Sequence, residues 1–183
     1  VKLAVFLERD GVLNRVRVEG FQQVPPLTFD EFELKPGVAS LLQELKAAGF
    51  LLLVTTNQPG LSEGRLPRRE LDRMHEAIRR ELPVDDLFVC PHSDADGCTC
   101  RKPHVGLFIE AAFKWHLDLE HSFVLSDKWP DARAAAALGC TSILIRSPWN
   151  RNCRRDFTVP SMAEAVKKIL QLHARSVAPY QKP

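Results

Sequence analysis

No apolar run in this sequence approaches the ~20 residues that a membrane-spanning helix requires. The longest N-terminal run, Leu3–Leu7, is short and lacks a small-residue cleavage site, so no secretory leader is expected. Charge of one sign is also scarce: the formal net charge is +2, which gives no global attraction to nucleic acid or to a membrane surface. There is no internal repeat, which excludes a solenoid, and no low-complexity tract. The five cysteines are odd in number, which does not suit a paired disulfide framework. The expected compartment is therefore the cytoplasm.

What is present is a globular composition, 45% hydrophobic and 26% charged, long enough to bury a core without covalent staples. Apolar runs alternate with helical patterns. The pattern predicts strands at 2–7, 50–55, 86–90, 122–126 and 141–145, and helices at 37–49, 68–82, 104–117 and 131–138. A short strand at 157–159 and a last helix near 160–173 complete it, and 174–183 is expected to fray. Pro36-Gly37 and Gly49 bracket the first helix, whose Val38, Leu41, Leu42 and Leu45 form one apolar stripe. Strands separated by helices imply right-handed crossovers and a mainly parallel sheet in one α/β domain over 1–173. Segment 15–35, with Pro25-Pro26 and no clean period, breaks the alternation. Following the first strand directly, it is expected to lie over a site.

Chemistry collects where these strands end. "FLERDGVLN" delivers Glu8 and Asp10, two acids one residue apart, followed by a glycine turn. "TTNQPG" offers Thr56 and Asn57; "CRKP" offers Arg101 and Lys102; "SDKWPD" offers Asp127, Lys128 and Asp131. Open α/β sheets bind ligands at this edge. Carboxylates suit Mg²⁺, and cations, amides and hydroxyls suit phosphate oxygens. One carboxylate can attack phosphorus while a second moves a proton. Asp131 alone also fits a helix N-cap.

A second cluster lies in "CPHSDADGCTCRKPH". Cys90, His92, Cys98 and Cys100 supply three thiolates and an imidazole, a closed tetrahedral Zn²⁺ set with no open position. The loop runs straight into Arg101 and Lys102, so the metal is expected to present these cations and to do no chemistry. Asp94 and Asp96 are expected to face solvent, and Cys140 to be a buried core thiol.

The ordered set of four motifs, over roughly residues 2–146, resembles the haloacid dehalogenase superfamily of phosphatases. The cysteine loop is similar to that of its zinc-bearing branch, which contains heptose 1,7-bisphosphate and histidinol-phosphate phosphatases. The resemblance implies a Rossmann-like three-layer sandwich with no large cap domain and one small zinc-bound loop. It implies Glu8 at the nucleophile position, where the family has Asp, and Asp10 as general acid/base, its backbone carbonyl a Mg²⁺ ligand. Thr56 and Asn57 would bind phosphate, Lys102 would be the third-motif cation and Arg101 a substrate contact. Glu8 and Asp127 would ligate Mg²⁺, Asp131 would orient Lys102 and Lys128 would meet the substrate. Ser126 stands where the family has Gly.

Glutamate reaches about 1.5 Å further than aspartate, and a displacement of about 1 Å can cost ~10²-fold in rate. Three outcomes stay open: attack by Glu8, metal ligation by Glu8 with direct attack by water, or binding without turnover. The expected substrate is a small sugar phosphate, a heptose bisphosphate foremost, with histidinol phosphate as the alternative. A nucleic-acid 3′-phosphatase is a further alternative, for which the arginine-rich "RSPWNRNCRR" at 146–155 speaks. The chain is expected to be monomeric, with no membrane partner.

Overall fold

The computed structural model describes residues 1–177. Its centre is a six-stranded parallel sheet in the order β5-β4-β1-β6-β7-β8. The strands are β1 (Ala4–Glu8), β4 (Leu51–Asn57), β5 (Asp86–Cys90), β6 (Phe123–Ser126), β7 (Thr141–Ile145) and β8 (Phe157–Val159). The helices are α1 (Val38–Ala47), α2 (Arg68–Glu81), α3 (Gly106–Trp115), α4 (Trp129–Leu138) and α5 (Met162–Val177). The α/β alternation read from the sequence is thus the observed architecture.

Every residue of β1 is buried, so its apolar run carries two alternating faces. Val5 and Leu7 join Leu42, Leu45, Ile78 and Ile169 under α1, α2 and α5. Ala4 and Phe6 join Leu107, Phe108, Ala134 and Ala135 under α3 and α4. These are the outer layers of a three-layer sandwich. The chain leaves β1 for β4 and β5 on one side, then crosses to β6, β7 and β8 on the other. β1 is therefore where the winding reverses, and the crevice beyond its C-terminal end is the expected ligand position.

Several boundaries differ from the sequence reading: β4 runs on through Asn57, α3 is confined to Gly106–Trp115, and α4 begins at Trp129, ahead of the expected 131. β1 extends through Glu8, which pairs in register with Thr55. Segment 15–35 contains an antiparallel hairpin, β2 (Arg17–Glu19) against β3 (Gln22–Val24). Its strands have three residues each and lie largely exposed, which leaves no apolar alternation to read. Helix α5 runs through Val177, so residues 174–177 of the expected tail are helical, and 178–183 lie outside the described residues. No helix among the described residues is long and apolar enough to cross a membrane.

Phe50, at the α1–β4 junction, packs edge-on against Phe123, with ring centroids 5.7 Å apart, and against His173 at 4.8 Å. It is 1% exposed. Phe50→Ala is expected to cost about 3–5 kcal/mol in urea unfolding, and a loss below about 1 kcal/mol would show that α5 does not lock the sheet through this ring.

Candidate active site

The strand ends bring Glu8, Asp10, Asn57, Arg101, Lys102, Lys128 and Asp131 to one open cleft of about 410 Å³. The hairpin segment closes one side through Val16, Gln23 and Pro25. At its centre is Lys102, buried at 3% exposure. Its ammonium donates to Glu8 Oε2 at 2.5 Å, to Asp131 Oδ1 at 2.7 Å and to the Thr55 carbonyl at 2.8 Å. All three N–H bonds are thereby engaged. Burial opposes the charge, but the carboxylates of Asp131 and Glu8 outweigh it and hold Lys102 above its usual range. The Asn57 side chain clamps the Lys102 backbone, accepting from its N–H at 3.0 Å and donating to its carbonyl at 3.1 Å.

Glu8 accommodates its extra methylene by curling back. Its Oε1 accepts from the backbone N–H groups of Arg9 at 2.8 Å and Asp10 at 3.2 Å, while Oε2 faces Lys102. Burial penalises this carboxylate, yet Lys102 and then Lys128 keep its pKa below the usual range. Asp131 differs: burial dominates and lifts it to about 6, and its Oδ2 has no hydrogen-bond partner. α4 begins at Trp129, with Lys128 as the residue before its first turn. Asp131 is therefore inside the helix and not its N-cap.

Asp10 is ringed by donors. Arg9 reaches it from Nε at 3.1 Å and Nη2 at 2.9 Å, Asn14 from Nδ2 at 3.0 Å, and Gln58 from Nε2 at 2.7 Å. Burial raises its pKa, but Arg9 and then Asn14 prevail and lower it. Gln58 also donates to Thr56 Oγ1 at 2.8 Å. Thr56 is fully buried under that amide and, unlike Asn57, does not line the cleft. Arg101 lines the cleft and pairs with the exposed Asp94 at 2.7 Å.

Asp127 Oδ1 accepts from Lys128 at 2.8 Å and Oδ2 from Gln23 at 2.7 Å. The same Lys128 ammonium donates to the Asp10 backbone carbonyl. A cation thus already sits among the hard oxygens expected to hold Mg²⁺. Gly11, at φ +91°, packs so closely that a Cβ there would lie 2.5 Å from Asp127 Oδ2.

Beside the cleft, Cys90, His92, Cys98 and Cys100 bring one donor atom each within 4.8 Å of one another. Cys90 Sγ lies 3.7 Å from Cys98 Sγ and 3.3 Å from Cys100 Sγ, and His92 Nδ1 lies 3.3 Å from Cys100 Sγ. With Zn–S bonds of about 2.3 Å a tetrahedron has edges of about 3.8 Å, so the donor set fits zinc. Gly106 lets α3 pass under this loop, since a Cβ there would meet the Thr99 carbonyl oxygen at 2.7 Å. Cys140 stands apart, buried as expected, with its thiol pushed up to about 12 by that burial.

The family model for haloacid dehalogenase-like hydrolases matches residues 8–139. The chain belongs to this family. It is 34% identical over 157 residues to the D-glycero-beta-D-manno-heptose-1,7-bisphosphate 7-phosphatase of an Escherichia coli strain, covering 79% of this chain and 80% of the relative. The enzyme of the same name from Bordetella bronchiseptica is 33% identical over 148 residues, covering 78% and 80%. A crystal structure of the B. bronchiseptica D,D-heptose 1,7-bisphosphate phosphatase, complexed with magnesium and phosphate, superposes with a TM-score of 0.76 at 27% identity, over 94% of this chain and 99% of that one. The Burkholderia thailandensis D,D-heptose 1,7-bisphosphate phosphatase shares the fold, with a TM-score of 0.67 at 20% identity, covering 92% and 99%.

Sequence reasoning singled out the acids and cations of this family member but not what holds them. Gln58 stood inside a quoted motif, and its place next to Asn57 was the available signal. Arg9 lay between the two acids, yet its full burial against Met74 and His75 depends on α2. Gln23 comes from the hairpin and carried no signal.

His75 Nε2 lies 3.3 Å from Arg9 Nη1. Burial first, then the charges of Arg9, Arg79 and Arg68 against the opposing Asp10, lower this imidazole to about 3. The unfolded chain takes up a proton here as pH falls through about 6.5, and the folded chain only near 3. The stabilisation is thus complete above about pH 6.5 and declines as pH falls towards 3, by up to about 1.4 kcal/mol per pH unit. His75→Gln is expected to remove about one proton from the pH dependence of unfolding across this window. Urea midpoints between pH 7 and 4 measure it, and an unaltered slope would count against a neutral His75.

Proposed function

We propose that this chain is a Mg²⁺-dependent phosphomonoesterase of a small sugar phosphate, with D-glycero-D-manno-heptose 1,7-bisphosphate as the substrate. The observation that carries the reading is the convergence of Glu8, Asp10 and Lys102 on one strand-end cleft, with Asp127 buried behind its wall and joined to it through Lys128, in a chain 34% identical to an enzyme named for that substrate. Glu8, Asp127 and the Asp10 carbonyl would hold the Mg²⁺ at the position Lys128 now fills, and the ion would neutralise phosphate charge. Asn57, Lys102 and Arg101 would hold the phosphate and the sugar, with Lys128 released to meet the substrate. Thr56 contributes through Gln58 unless that amide moves aside. Asp131 positions Lys102.

In the hydrolysis, a Glu8 carboxylate oxygen forms a bond to phosphorus as the ester P–O bond breaks. Asp10 supplies the proton to the departing alkoxide, then accepts one from the water that cleaves the acyl phosphate. Its donors favour the carboxylate, which suits the second half of this role. Glu8 works against the first step. Its carboxylate already occupies the N–H groups of Arg9 and Asp10 and one N–H of Lys102, donors that an incoming anion would use.

Glu8→Asp withdraws the carboxylate by about 1.5 Å and frees these donors. Phosphate release from the heptose bisphosphate with Mg²⁺ is expected to rise by about tenfold or more. Fast wild-type turnover with a slower Glu8→Asp would reverse the geometric reading. Silence of both on every ester, with tight ligand binding, would instead make the chain a sugar-phosphate-binding protein. Zinc is the proposed resident of the cysteine loop. Metal analysis is expected to find one zinc per chain, lost in Cys98→Ala together with tenfold to on the order of 10²-fold of activity, as Arg101 and Lys102 loosen. Full activity in a zinc-free protein would refute the positioning role.

A further inference from the structure

The cleft is not the most voluminous hollow. A second cavity of about 640 Å³ opens beside it, lined by Trp129, Arg133, Pro148, Trp149, Arg151 and Arg154 among others. Trp129 borders both. No acidic side chain lines the second cavity. Arg133, Arg151 and Arg154 are exposed and make no ion pair among the described residues.

The wall is built, not loose. Asn150 donates to the carbonyls of Asp127 at 3.0 Å and Ile145 at 2.7 Å, and Ser147 donates to the same Asp127 carbonyl. Arg155 is committed inside the loop, bonding the carbonyls of Asn150, Arg151 and Cys153. Trp149 Nε1 donates to the Phe21 carbonyl at 3.1 Å, tying the loop to the β2–β3 hairpin. Two indoles and three arginines without acidic partners thus share one hollow on a fixed frame.

We propose that this cavity is a nucleotide site, taking a nucleoside diphosphate with its base against the indoles and its phosphates on Arg133, Arg151 and Arg154. Indole faces and guanidinium planes stack on heteroaromatic rings, and arginines match phosphate oxygens in bidentate geometry. The volume lies within the range of sites for such ligands. A strand of nucleic acid is the weaker fit, because a net charge of +2 leaves little to track a polyanion.

ADP titrated into the full chain, followed by tryptophan fluorescence and calorimetry, tests this independently of phosphatase activity. Saturable binding is expected with a Kd below about 1 mM. Adenosine and pyrophosphate should each bind about tenfold or more weaker, and Arg151→Ala/Arg154→Ala should weaken ADP by a similar factor while sugar-phosphate hydrolysis is unchanged. Excess inorganic phosphate with Mg²⁺, directed to the catalytic cleft, should not displace ADP. The proposal is overturned by any of four results: no ADP binding at several times that concentration, undiminished binding to the double variant, displacement by phosphate, or tighter binding of a short oligothymidylate than of ADP.

Discussion

A fully buried ammonium survives in a protein only when each of its protons is answered and its charge is met by carboxylates. Lys102 satisfies that condition with groups from three separate segments: Glu8 at the end of β1, the Thr55 carbonyl in β4 and Asp131 in the first turn of α4. The rest of the site is arranged around this knot. Asn57 fixes the backbone that carries the lysine, and the cysteine loop immediately precedes it. Removing either carboxylate would leave Lys102 with one counter-charge and one N–H unanswered, and removing the lysine would leave two buried carboxylates without their shared cation, which couples the architecture of the cleft to its electrostatics.

The same knot explains how a glutamate is tolerated where the family has an aspartate. The longer side chain folds onto the backbone N–H groups of its own strand end and keeps its charge paired. The charge is kept paired at the expense of backbone and ammonium donors that would otherwise be free. Asp10 shows the complementary case: Arg9, Asn14 and Gln58 hold it ionised and rigid, and His75 stays neutral behind Arg9 because it is buried beside a guanidinium.

Much of this was legible before any coordinates. Glu8, Asn57 and Asp127 could be located because each ends or follows an apolar run that reads as a strand, and Lys102 because it follows the cysteine loop at the end of another. The Cys90, His92, Cys98 and Cys100 cluster could be located because four donors within a short loop need no tertiary information to be neighbours. The β2–β3 hairpin was not legible, since three-residue exposed strands carry no hydrophobic period. The burial of Thr56 beneath Gln58, and the link from Gln23 to Asp127, were not legible either, because each depends on side chains from segments far apart in the chain.

By itself, then, the sequence determined the α/β order of elements, the strand ends that carry acids and cations, and the local clustering of three cysteines and a histidine; each follows from periodicity or short-range spacing. Tertiary structure alone decided which carboxylate oxygens meet Lys102, that Lys128 lies between Asp10 and Asp127, and that two tryptophans and three arginines share a cavity. Those outcomes depend on distances between elements, and only the packing of helices onto both faces of the sheet sets them.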